Sequence, residues 1–197
     1  TVTYTPHTGQ SCTPVADTTT EWNAGWYAVS GNVTISEPIT VTGAVNLILT
    51  DGCNFTAAKG IVVTTGNSLT IYAQSEGNSA GTLNATGTTD SDKNASAGIG
   101  GSTETLDSGD ITIHGGVINA TGGGQPYYYG GAGIGGGTSS SENGGNSGAV
   151  IIYSGTIIAN SGAGNVAGAG IGGGGGGNGE NGGDGSGITI YGGNVTA

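Results

Sequence analysis

Arginine is missing from this 197-residue chain, and lysine occurs only at Lys59 and Lys93. Binding to nucleic acid needs Lys and Arg to neutralise phosphates, so no nucleic-acid partner is expected. Attachment to an anionic membrane surface falls for the same reason. No run of about 18 apolar residues is present, so no membrane insertion is expected either. Cysteine occurs twice, at Cys12 and Cys53. A disulfide between them would tie the N-terminal segment to an early strand and would fit an oxidising compartment; the alternative is a pair of free, buried thiols. Apolar residues make up 34% of the chain. That is thin for a compact globular core and suits a narrow core filled by short strands. No signal peptide is visible at Thr1.

What the chain has in excess is glycine and negative charge. There are 46 glycines, far above the roughly 7% of average proteins. Without a period, such a composition would read as disorder. Thirteen acidic residues set the formal net charge at −11. Carboxylates in excess favour divalent cations, or neutral ligands held by hydrogen bonds and aromatic stacking.

A period is present. Ala97–Gly101 (AGIGG) recurs at Ala132–Gly136 and Ala169–Gly173. A second series reads Leu47-Ile48-Leu49, Leu69-Thr70-Ile71, Ile111-Thr112-Ile113, Val150-Ile151-Ile152 and Ile188-Thr189-Ile190. Written as columns, the inward positions are Leu47, Leu69, Ile111, Val150, Ile188 and then Leu49, Ile71, Ile113, Ile152, Ile190. A third column is Phe55, Leu83, Ile118, Ile157, Val195, followed two residues on by Ala57, Ala85, Ala120, Ala159, Ala197. The last is Ile61, Ile99, Ile134, Ile171. Inward residues alternate with polar ones, as in a half-buried strand. From Leu47 to Leu69 is 22 residues, one turn of a three-sided coil; later steps are 42, 39 and 38. The added residues fall in two loops of Gly, Ser, Asn and Asp. The expected fold is therefore all-β: a right-handed parallel β-helix, three short strands per rung, with long glycine-rich loops. Residues 1–30, with Trp22, Trp26 and Tyr27, read as an N-terminal cap, and 31–197 as the repeats. The repeat is cut at Ala197, so the chain is expected to be a monomeric piece of a larger multidomain protein.

Three features are candidates for binding. Glu104, Glu142 and Glu180 recur every 38 residues, followed by Asp107, Asn146 and Asp184. Stacked rungs would bring like charges together, which calls for a counter-ion, and Ca2+ takes such oxygen-rich sets. The alternative is a set of solvated loop acids. Gln125-Pro126-Tyr127-Tyr128-Tyr129 sits one rung after Asp90-Ser91-Asp92-Lys93-Asn94. Tyr127, Tyr128 and Tyr129, with Gln125, Asp90 and Asp92, would stack on sugar rings and fix their hydroxyls; the alternative is a loop packed down on the solenoid. Tyr72, His114, Tyr153 and Tyr191 form an outward aromatic ladder, read chiefly as cross-strand packing. Six Asn-x-Ser/Thr sequons, from Asn32 to Asn194, fit the liking of Asn for turns and Thr for strands.

Catalysis has little support. A uronate lyase would want an Arg or Lys base, and neither lysine is placed for it. Hydrolysis needs two placed carboxylates, and neither His7 nor His114 has the context of a triad. Ice binding by a threonine array is interrupted along Thr70, Thr112, Ile151, Thr189.

The segment Gly25–Ile35, then Leu47–Gly52, Ser68–Tyr72 and the AGIGG repeats, resembles the glycine-rich repeats of large secreted or cell-wall-attached proteins of Gram-positive bacteria. The resemblance implies an extracellular β-helix of the kind found in adhesins and carbohydrate-active proteins. More distantly the chain is similar to calcium-containing, β-helical carbohydrate-binding modules. The expected function is non-catalytic polysaccharide binding at the cell surface, with a structural stalk as the alternative.

Overall fold

The computed structural model describes residues 11–185 and 187–197; residues 1–10, with His7 and the start of the expected cap, lie outside them. Among the described residues there is no α-helix, and the strands form an eleven-stranded, a six-stranded and a two-stranded sheet. Every strand pair is parallel, and the long sheets stack as those of a parallel β-solenoid.

Three faces build the coil. The first carries Glu21–Val29, Ile39–Leu49, Ser68–Ala73, Asp110–Ile113, Val150–Ile152 and Ile188–Ile190. The second carries Asn32–Ile35, Asn54–Ala57, Thr82–Thr86, Val117–Thr121, Thr156–Asn160 and Asn194–Thr196. The third carries the two-residue strands Ile61–Val62, Ile99–Gly100, Ile134–Gly135 and Ile171–Gly172. The strand Ile39–Leu49 turns the corner between the third and first faces, pairing with Ile61–Val62 at its start and Ser68–Ala73 at its end.

The second- and third-face columns stand as the sequence places them. The first-face register differs by two residues at one step. Val45, not Leu47, lies opposite Leu69, and Leu47 lies opposite Ile71. The bend at Gly43 needs fewer residues than the turn Thr64–Asn67 below it. Gly43 adopts φ +76 and donates its N–H to Asn67 Oδ1 at 2.8 Å, which fixes that corner. The strand Glu21–Val29, within the expected cap segment 1–30, pairs into the first face. It pairs with Ile39–Leu49 through a bulge between Asn23 and Gly25. Trp22 is fully buried, its ring 6.0 Å from Phe55 and 5.4 Å from Tyr27. A single core cluster runs from Val15 to Ala159, with Ile171, Ile188 and Val195 only partly covered at the far end.

The loops are not a solvated fringe. Gly131 to Ser139 and Gly172 to Gly177 are buried. Outgoing and returning loop arms alternate in a backbone ladder: Gly137 donates to Leu106, Gly145 to Gly137, Gly174 to Gly145 and Gly183 to Gly174, at 2.7 to 2.9 Å. At Gly136 a Cβ would run into the carbonyl of Gly145, and at Gly174 into that of Gly137. Glycine is there because backbone packs on backbone. Each AGIGG motif closes on itself, the alanine N–H donating to the last glycine carbonyl at 2.9, 3.1 and 3.0 Å for Ala97, Ala132 and Ala169. The loops thus form a second, glycine-built layer beside the third face.

Cys12 and Cys53 are not bridged. Thr13 lies opposite Tyr27, which places Cys12 at the level of Trp26 and Asn46. Leu49 is roughly 10 Å further along the strand, and Cys53 lies beyond the turn after it, past disulfide reach.

Candidate functional site

The two loop stacks meet. Ala95, in the first loop of one rung, exchanges both backbone hydrogen bonds with Thr138, in the second loop of the next, at 2.9 and 2.7 Å. Thr138 is fully buried; its hydroxyl donates to the Gly130 carbonyl and accepts from Gly175 N–H. Asn94 Oδ1 accepts from Ser140 N–H at 2.9 Å. These bonds hold the loops together and open a cavity of about 850 Å³ at their outer side.

The cavity is polar. Asp92, Asn94, Glu104, Asp107, Glu142, Asn143 and Asn146 line it, with Thr103, Thr105 and Ser139–Ser141. One residue expected to contact glycan, Asp92, therefore shares a cleft with three expected to hold calcium. Asp90 does not line it. Its Oδ1 accepts the N–H groups of Asp92 and Asn94, and its Oδ2 accepts Asn94 Nδ2, each at 2.9 Å. Asp90 shapes the loop through these bonds.

The acidic column is in register but differently employed. Asp107 Oδ1 accepts from Asn146 N–H at 2.6 Å, and Asn146 Oδ1 from Asp184 N–H at 2.8 Å. Asn143 Oδ1 accepts from Asn181 N–H at 3.0 Å in the same manner. Glu104, Glu142 and Glu180 are exposed. Among the described residues, no three His, Cys, Asp or Glu side chains converge to hold a metal ion. Of the residues expected to hold calcium, Glu104, Asp107 and Glu142 line the one cleft without converging on a point, while Glu180 and Asp184 lie outside its lining.

The three tyrosines separate. Tyr127 is 83% exposed and Tyr128 42%. Tyr129 pairs in a short strand with Val166, and its hydroxyl oxygen accepts from Asn178 N–H at 3.1 Å. Gln125 is exposed, its carbonyl holding Tyr128 N–H at 3.1 Å. Lys93, not among the residues expected to bind, places its ammonium 5.3 Å from the centre of the Tyr128 ring. That contact makes the Asp90–Asn94 and Gln125–Tyr129 loops neighbours. Lys93 follows Asp92 in the chain, so the aromatic pair stands next to the cleft.

The outward ladder is a continuous ring stack. Trp26, Tyr72, His114, Tyr153 and Tyr191 follow one another at centroid distances of 5.4, 4.8, 4.6 and 5.0 Å. Ring faces cover ring faces, so none of the inner rings offers its face to a sugar. Trp26 joins the stack unforeseen, because the sequence places it in a cap. On the second face, the amides of Asn54, Asn84 and Asn119 form their own ladder, with two bonds of 2.9 Å, which accounts for three of the sequons.

No family model, curated protein or solved structure matches the chain.

Proposed function

We propose that the chain is a non-catalytic polysaccharide-binding module of an extracellular bacterial protein, with its site on the loops. The observation that carries this reading is the cleft of about 850 Å³, walled by carboxylates, amides and hydroxyls, beside the exposed rings of Tyr127 and Tyr128. Sugars need both: donors and acceptors for their hydroxyls, and an aromatic face for the C–H face of the ring. The loops are held by main-chain and side-chain hydrogen bonds before any ligand arrives, which lowers the ordering cost of binding. The finer architecture belongs to the same reading: a right-handed coil, within a longer chain displayed at the cell surface.

A second reading is a rigid stalk. The amide ladder, the ring stack and the Asp107–Asn146–Asp184 column all run along the coil axis and favour it. Affinity electrophoresis against plant and mucin polysaccharides separates the two. Retardation by at least one polysaccharide, lost in the double variant Tyr127→Ala/Tyr128→Ala, supports the module; no retardation by any of them supports the stalk.

A further inference from the structure

We infer that Lys93, Tyr127 and Tyr128 form a subsite for an acidic sugar unit, one that carries a carboxylate. This inference rests on the glycan-binding reading and names the ligand class for one corner of that site.

The chain has two cations. Lys59 is occupied, its Nζ 2.7 Å from Glu37 Oε2. Lys93 forms no ion pair among the described residues, although Asp90 and Asp92 share its loop. Asp90 is held away by its three bonds to Asp92 and Asn94. The Lys93 ammonium lies over the Tyr128 ring instead. A ring satisfies an ammonium electrostatically on one side and takes none of its three N–H donors in a directed bond, so a carboxylate remains the better partner.

Backbone strain marks the same corner. Among the described residues, three non-glycines have positive φ: Lys93 at 72°, Tyr127 at 72° and Asn178 at 47°. All three belong to the tyrosine loop or touch it, Lys93 through Tyr128 and Asn178 through the Tyr129 hydroxyl. Left-handed backbone is costly for residues with a Cβ. In a chain with 46 glycines, side chains stand at these positions. A requirement for the side chains themselves explains that choice.

The charge of −11 repels anions at a distance. A carboxylate is therefore favoured only at contact with Lys93, which suits a single acidic unit in a neutral glycan rather than a uniformly charged polymer.

Isothermal titration with an oligosaccharide bearing one glucuronic acid, and with its methyl ester, tests this. The wild-type chain is expected to bind the acid about tenfold more tightly than the ester. Lys93→Gln is expected to bind both at the affinity of the ester, and Tyr127→Ala/Tyr128→Ala to weaken both. Equal binding of acid and ester by the wild type overturns the subsite and leaves the glycan-binding reading standing. So does binding of other polysaccharides but neither probe. Binding to no glycan at all overturns both.

Discussion

The Asp107 carboxylate accepts the main-chain N–H of Asn146, 39 residues further along the chain, at 2.6 Å. Asn146 repeats the contact on Asp184. The column alternates Asp, Asn, Asp, so no two carboxylates are adjacent within it. Each side-chain oxygen instead serves an amide of the next rung.

The first prediction follows from that contact. Asp107→Ala leaves the exposed Asn146 amide to water and is expected to cost about 0.5–1 kcal/mol. Asp107→Asn keeps an acceptor and is expected to restore most of the loss. Calcium chelation is expected to leave the unfolding midpoint where it is. Thermal and denaturant unfolding of the three samples checks all of this.

The glycine layer makes a sharper demand. Gly136→Ala places a Cβ against the Gly145 carbonyl, in a stack that other loop arms hold in place. We expect a loss of about 3 kcal/mol or more. Gly182→Ala meets only an ordinary contact at 3.4 Å and is expected to change stability by less than about 0.5 kcal/mol. Unfolding midpoints of the two variants decide it.

In the ring stack, Tyr153 has neighbours on both sides and Tyr191 on one. Tyr153→Ala is expected to cost about 2 kcal/mol and Tyr191→Ala about 1 kcal/mol. Neither is expected to alter retardation by polysaccharide, because the inner ring faces are already occupied.

Burial raises the pKa of the Cys53 thiol; the amides of Thr82 and Thr50 oppose the shift, and Asp51 adds to it. The fold therefore favours the neutral thiol. That contribution is full below the ordinary thiol value of about 8.5 and is lost as pH rises through the folded value. Burial moves Tyr72 in the same direction, in a window that starts near pH 10. Stability is expected to fall on the alkaline side, with a shallower slope in Cys53→Ala. Thiol labelling without reductant is expected to modify both cysteines in denaturant, and Cys53 only there.

Much of the coil was legible because Ile99, Ile134 and Ile171 recur between glycines, and Phe55, Leu83 and Ile118 recur two residues before an alanine. The Val45–Leu49 stretch was harder. Val45, Leu47 and Leu49 all point inward, and a slip of two residues preserves the alternation, so the pattern alone does not set the register. The bulge at Ala24 breaks the alternation that would have revealed Glu21–Val29 as a strand. In the loops, the spacing of Asp107, Asn146 and Asp184 was visible, but their role depends on which amide the next rung turns toward them. Lys93 was passed over because its loop was read for the acids beside it, Asp90 and Asp92, in a chain where carboxylates far outnumber cations.

The claim at the centre of this account is that glycan binds to the loops and not to the strand faces. Hydrogen exchange with and without a retained polysaccharide tests it most directly. The account predicts new protection confined to residues 90–94, 103–107, 125–128 and 139–146. Protection centred on Tyr72 and Tyr153, or on Asn84 and Asn119, would contradict it.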